Sequence, residues 1–592
     1  MANRFLEFYN DELAALRTRA VRFSEAFPKI AGRLRLAKDT SDDPHVERLI
    51  QSFAFTAARI RQKIDDSLPE LTDALLETLY PHYLSPVPSM TVVQVQPADG
   101  LDAVQMVPRH TQIVSDPIDG DVCRFRTSQP VAMAPVQITN IRMMARPIEA
   151  PQIRDGKAAG CLAVTVRKTA KTPLVELGLS KLRFYIAAPA RQAAALHTLL
   201  FNHCTDVGFG LHSNDADAVF LPASAVSQVG FGDDEWLLPY PENSFLGYRT
   251  LTEFFALPQK FLFFDVDVTR VTQDEEVTIY IYFDAGPGRL ERDIGSGSLL
   301  LHCTPMVNHF PKRAEPITLD GTRTKYPLIA DARRAKTQRV HSVTSVTLTD
   351  TDGQATPAYP FFNRLSGNNI GTVAWHFHRH SRRDGVRSGE SSIAFVDEAN
   401  RPKPVIDAVA SIEILATNGN LPSKLPFGGG QPRLYLADAL EAAEGITCLQ
   451  PISSQYSPDD ADNRAWRLLS HLSLNHLSIT KGGAPALRNI LGLYDISEAK
   501  EPARLIASID DIETNPGIAR LGNAMVPGTD VTLIFDDQVI DQADAYFFGT
   551  MIDRFLGCYA SVNTFTRLSL KMKNRTDILA TFPPRAGEEA ML

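Results

Sequence analysis

Residues 43–94, DPHVERLIQSFAFTAARIRQKIDDSLPELTDALLETLYPHYLSPVPSMTVVQ, contain the point at which the hydrophobic period of the chain changes. Asp43-Pro44 reads as a helix start, because an acidic residue precedes a proline whose missing N–H costs nothing in the first turn. Val46, Leu49, Ile50, Phe53, Ala57, Ile60 and Ile64 then recur at helical spacing. Ser67 and Glu70 fit a capping box, and Leu71, Leu75, Leu76, Leu79 and Tyr80 give another apolar face that ends at Pro81 and Pro86. From Met90 the period shortens to two, with Val93 and Val95 alternating against Gln94 and Gln96. The stretch therefore predicts long helices giving way to β-structure.

Upstream, Phe5, Tyr9, Leu13, Leu16, Ala20, Phe23 and Phe27 lie on one helical stripe that Pro28 and Gly32 end. Residues 1–88 are thus expected to form an N-terminal helical domain. Phe5, Phe8 and Tyr9, at its outer end, are candidates for burial against another chain. Downstream, residues 89–400 repeat short Val/Ile/Thr-rich runs divided by Pro and Gly: 161–169, 182–188, 277–284, 343–349 and 372–380. No regular strand and helix alternation supports a Rossmann fold or an α/β barrel, so a mainly β central region of more than one domain is expected. ARQAAALHTLL at 190–200 reads as a short helix and FPKRAEP at 310–316 as a connector. Residues 401–592 read as a mixed α/β region. It has helices at AWRLLSHLSL and APALRNILGLY, a strand at 531–537, a helix within 546–563 and a final strand, TFTRLSLK. The fold class is α+β, multidomain.

The 592 residues exceed by about fourfold a common domain size of roughly 150, so several cores are expected. Sixty basic against 69 acidic residues leave a net charge of −9, which offers no general attraction for phosphate backbones or anionic lipids and argues against nucleic acid as a partner. The six cysteines never form CxxC and are expected as reduced, mostly buried thiols. The opening MANRFLEFYNDELAAL lacks the apolar core of a secretory signal, and no run of about 18 apolar residues follows, so a cytoplasmic protein without membrane insertion is expected.

Reactive motifs are sparse. His376, His378 and His380 alternate along an expected strand and share a face, the pattern that would suit a metal-dependent hydrolase. Successive rings on a straight strand rise by roughly 7 Å per pair, so convergence on one ion requires a bend. His302-Cys303 with His309 lacks an accompanying HExxH, and His471 and His476 are five apart and do not stack on one helix face. The glycine clusters at 285–298 and 426–432 are neither a P-loop nor a GxGxxG fingerprint, and GxSxG is absent. No catalytic, cofactor-binding or metal residue is assigned.

The 43–94 segment resembles the N-terminal signature of the type VI secretion baseplate subunit TssF, also called ImpG or VasA. The resemblance continues in family order through GYRTLTEFFALPQKFLFFD (247–265), CTPMVNHFPKRAEPITLDGTRTKYPLIADAR (303–333), LATNGNLPSKLPFG (415–428), WRLLSHLSLNHLSI (466–479) and FLGCYASVNTFTRL (555–568). It implies a non-enzymatic structural protein, similar to contractile-tail baseplate wedge proteins and requiring no cofactor. The implied partners are TssG in a two-to-one complex containing a second TssF copy, with TssK and TssE. The VgrG hub and the membrane complex would be neighbours, placing the protein in the cytoplasm at the inner membrane. On the matching blocks, Phe254, Phe255, Phe555 and Tyr559 join Phe5, Phe8 and Tyr9 as candidate assembly residues.

Overall fold

A computed structural model describes residues 9–10, 13, 16, 23, 27–33, 43–59, 82–153, 156–240, 245–361, 373–379, 391–396, 406–437, 443–457, 483–496, 500–522, 524–558, 560 and 563–587. The chain forms two compact units, Met1–Leu84 with Asp460–Ser470, and Ser85–Asp459 with His471–Leu592. In the first, residues 44–59 are helical, and Asp43 caps the start by accepting a 2.9 Å hydrogen bond from the backbone N–H of His45.

The second unit is built on β-sheets. A closed six-stranded barrel runs Met90–Pro97, Cys303–Val307, Asp121–Thr127, Gln112–Ile118, Leu434–Leu436 and Ala443–Cys448. Closure removes the exposed edges that a small sheet would otherwise present. The strand Asp121–Thr127 alternates strictly between buried and partly exposed residues, sending Cys123 and Phe125 inward and Arg124 and Arg126 outward. The barrel takes strands from both sides of residue 401, since Ala443–Cys448 pairs with Met90–Pro97. A boundary expected at 400/401 therefore does not divide this body.

Beside the barrel lie a five-stranded sheet (Val219–Pro222, Cys204–Gly210, Glu276–Phe283, Gly160–Lys168, Val136–Ala145) and a four-stranded one (Val226–Gln228, Phe263–Asp267, Lys181–Ile186, Leu299–Leu300). Helix α1, Ala190–Asn202, shares their core, which includes Phe184, Phe209, Phe263, Phe264 and Phe283. Here the expected strands and the expected short helix all form.

An eight-stranded sheet follows, in which Ile406–Thr417 pairs with Phe310–Arg313, Ile317–Asp320 and Arg339–Asp350. The FPKR part of 310–316 is thus a strand rather than a connector. Phe310 explains the difference, because its ring is fully buried in the sheet's core while Pro311 and Arg313 are exposed.

Two asparagines lock the barrel to this sheet. Asn308 ends the barrel strand Cys303–Val307, and Asn418 follows the sheet strand Ile406–Thr417. The backbone N–H of Asn418 donates to Asn308 Oδ1 at 2.7 Å, and Asn308 Nδ2 donates to Asn418 Oδ1 at 2.9 Å. The Arg124 N–H donates to the same Asn418 oxygen at 2.9 Å, and Asn308 Nδ2 also reaches the Arg124 carbonyl at 2.6 Å. Both side chains are within 1% of full burial, so each bond replaces hydration that is no longer accessible.

The C-terminal part pairs Ile509–Leu521 with Ala524–Phe535, which runs parallel to Phe565–Met572. A parallel pair needs a crossover, and helix α2, Gln542–Cys558, supplies it. Gly549 of α2 lies so close to Leu570 on the strand that a Cβ there would collide with that side chain. Replacing Asn418 with leucine strands the Arg124 N–H and the Asn308 amide in a dry junction. The expected loss is about 3 kcal/mol or more, read as a lowered urea midpoint of the full chain, whereas Asn420→Leu, one turn beyond the lock, should change it little.

Candidate assembly surface

Helix α3, Leu246–Ala256, carries the central aromatic segment, and its own polar residues explain its position (in chain order it lies between α1 and α2). Glu253 is fully buried. Its Oε1 accepts the Leu237 and Leu238 amides at 3.0 and 2.9 Å, and its other oxygen takes the ammonium of Lys260, also fully buried. Lys260 Nζ lies 4.2 Å from the centroid of the Trp236 ring. Burial lowers the Lys260 pKa, and the Glu253 carboxylate opposes that shift. Breaking such a pair by removing one member leaves an uncompensated buried charge.

This anchoring turns the aromatic side of α3 inward. Phe254 and Phe255 are 2% and 4% exposed, and Phe254 stacks on Phe548 of α2 at 5.8 Å. Phe555 has no exposure and lies 6.0 Å from Tyr248. These three expected assembly residues therefore build the protomer's core, and any effect on assembly must pass through the surface they support. Tyr9 is half-buried, while Phe5, Phe8 and Tyr559 lie outside the described residues.

Exposed apolar side chains gather instead on residues 44–59. Leu49 and Phe53, one helical turn apart, are 70% and 65% exposed, and Phe55 is 47% exposed, whereas Ala54 and Ala58 are fully buried. The helix hides its small residues and presents its large ones. Periodicity places Leu49 and Phe53 on one helical stripe, and the structure turns that stripe outward. The available signal was an excess of apolar positions, since 49, 50, 53, 54, 55, 57 and 58 cover more than one face.

The reactive-site candidates resolve differently. His376 and His378 share a face of strand Ala374–Arg379 with ring centroids 4.1 Å apart, and His380 lies outside the described residues, as do His471 and His476. Among the described residues no group of three or more His, Cys, Asp or Glu side chains is placed to hold a metal ion. A cleft of about 330 Å³ is lined by Met106, Arg183, Asp265, His302 and Cys303. In it Arg183 clamps Asp265 through bonds of 2.7 and 3.0 Å. Burial pushes the Cys303 thiol far above its ordinary range, the opposite of an activated nucleophile. Cys123, Cys161, Cys303 and Cys448 are buried and unbridged, Cys204 is half-buried and Cys558 is exposed.

Several histidines are structural. His197 of α1 is wholly buried among Phe201 and Phe547, at 4.6 and 4.9 Å, and burial lowers its pKa to about 3. His341 is likewise lowered to about 3 and His302 to about 4, in each case chiefly by burial. The unfolded chain protonates these rings below about pH 6.5 while the folded chain does not, so stability is full above that value and falls as the pH is lowered. His197→Leu should remove one such contribution. Relative to the unsubstituted chain, the variant should gain about 2 kcal/mol between pH 7.5 and pH 5, measured by urea unfolding at both values.

Comparison with known proteins gives one consistent result. The family model described as "Type VI secretion system, TssF" matches residues 1–589. The type VI secretion system component TssF1 of Pseudomonas aeruginosa PAO1 is 32% identical, with 98% of each chain covered. A chain in a cryo-electron microscopy structure of the type VI secretion TssK-TssF-TssG baseplate subcomplex is 25% identical. It superposes with a TM-score of 0.74 over 92% of this chain and 99% of that one. A chain of another structure, of the type VI secretion baseplate complex, shares the fold at a TM-score of 0.56, with 23% identity over 98% and 100%.

Proposed function

The chain belongs to the TssF family of type VI secretion systems, and from that premise we propose that it is a non-enzymatic structural subunit of the baseplate, assembling with TssG and TssK. The finer arrangement we propose is two copies with one TssG, joined by TssK and TssE around the VgrG hub at the cytoplasmic face of the membrane complex. Phe5, Phe8 and Tyr9 belong to the same assembly unit in this reading.

The observation that carries it is the outward stripe of Leu49 and Phe53 on residues 44–59. Large apolar side chains at two-thirds exposure, repeated at one helical turn, are the form a helix takes when another protein completes its packing. A structural subunit also needs stiffness, and the buried Glu253–Lys260 pair and the partly buried Arg585–Asp553 pair hold helices α3 and α2 to their neighbours. A hydrolase would need an ordered set of reactive groups, and the histidine strand offers two imidazoles side by side in the described residues.

Substituting Leu49→Glu and Phe53→Glu together places two charges on the stripe. Co-purification of the variant with TssG should fall at least tenfold while its melting temperature stays within about 2 °C of the unsubstituted chain. Undiminished co-purification would contradict this placement of the assembly surface.

A further inference from the structure

The outer face of the barrel strand Asp121–Thr127 carries two arginines in different circumstances. Arg124 lies over the Phe310 ring, its guanidinium carbon 5.5 Å from the centroid. Arg126, two residues on and beside the strands Gln112–Ile118 and Cys303–Val307, is largely enclosed. Among the described residues nothing accepts a hydrogen bond from its guanidinium, no carboxylate pairs with it, and its Nε is sealed from solvent without a partner. Five other arginines in the same body are paired with carboxylates, while Arg554, which like Arg126 has a buried Nε without an acceptor, lies over the Phe231 ring. Arg183 has Asp265 and Glu235, Arg334 has Asp121, Arg504 has Asp544, Arg567 has Asp530 and Arg585 has Asp553.

The surroundings of Arg126 add positive charge. Arg109 donates to the Trp236 carbonyl at 3.0 Å and stands 3.5 Å from Asp234, a carboxylate whose side chain is 90% exposed, and its own Nε is also buried without an acceptor. His309, in the segment that joins the barrel to the large sheet, has no exposure, and among the described residues neither ring nitrogen has a partner; its ring meets that of His341 at 4.1 Å. Burial and the neighbouring Arg109 lower the Arg126 pKa to about 10, and His110 is lowered to about 4 by burial and by Arg126 and Arg109. The carboxylate recorded beside these two arginines is the exposed Asp234, which pairs with Arg109 and not with Arg126.

A guanidinium whose Nε is sealed from solvent without an acceptor has an unmet need for a hydrogen-bonding anion, which a carboxylate delivered from outside would supply. We propose that Arg126, assisted by Arg109, is the seat for an aspartate or glutamate side chain of a neighbouring subunit, so that the charge balance of this site is completed only in the assembly. This rests on the baseplate reading above and adds to it the chemistry of one partner contact. A protein carboxylate fits better than a nucleic acid phosphate, because one enclosed guanidinium in an acidic chain is not a track along which a phosphate backbone could run.

The test uses the full chain co-expressed with TssG and TssK of the same organism. Arg126→Gln removes a charge that has no partner in the isolated chain, so that chain should melt no lower than the unsubstituted one, while its affinity for the partner complex falls at least tenfold. A variant that melts lower and binds equally well shows Arg126 to be internal scaffolding and overturns the proposal. A second variant, Arg126→Lys, keeps the charge and supplies an amine for zero-length carbodiimide coupling. Mass spectrometry of Arg126→Lys should find the introduced amine joined to an Asp or Glu of TssG or TssK; coupling only to carboxylates of this chain's own sequence, or none, overturns the proposal. If the unsubstituted chain itself does not enter the complex, the assembly reading fails; if it enters and Arg126→Gln enters equally, only the carboxylate seat fails.

Discussion

The paired amides of Asn308 and Asn418 are the constraint on which the large unit depends. They stand 110 residues apart in sequence, at two crossings between the closed barrel and the eight-stranded sheet. Each satisfies the other, and together they satisfy the backbone of Arg124 on a third strand. Because both are buried, the arrangement is all or none: a small rotation at the junction would break several bonds in a place water does not reach. The sheet and the barrel are thereby fixed to one another, and the C-terminal helices meet a frame already rigid.

Buried charge extends the same principle. Glu253 holds α3 by accepting two backbone amides and the Lys260 ammonium, and Arg183, on the strand Lys181–Ile186 of the four-stranded sheet, pairs with Asp265 and Glu235. Such groups contribute little net stability compared with apolar replacements, yet they penalise every geometry but one. For a structural subunit, resistance to distortion is the useful property. Against this background of matched groups, the places left unmatched stand out: the large apolar side chains of residues 44–59 and the guanidinium of Arg126.

The sequence patterns carried the β-character of the middle region well, because half-buried strands impose a period of two that CLAVTVRKT and VTIYIYFD display openly. The C-terminal helix was legible from its helical period and the strand TFTRLSLK from its alternation, but that strand does not finish the fold, since Ile578–Thr581 and Arg585–Ala586 follow and pair with it. Closure of the barrel was not, since pairing of Ala443–Cys448 with Met90–Pro97 is a contact between segments about 350 residues apart that no local pattern encodes. Direction was the other loss. Periodicity placed Leu49 and Phe53 on a common stripe but could not say whether the stripe faced inward, and the aromatic run at 254–255 looked like a surface because nothing local reveals that Glu253 anchors it to the interior. The unmatched state of Arg126 is likewise a property of the tertiary neighbourhood, visible only when the surrounding strands are in place.

The central claim is that this chain is a part, complete only in company. Light scattering coupled to size-exclusion chromatography, applied to the full chain co-expressed with its TssG, measures this directly. The account predicts a single species whose mass equals two copies of this chain and one of TssG. A folded chain that elutes alone at its own mass, with TssG separate, would contradict it.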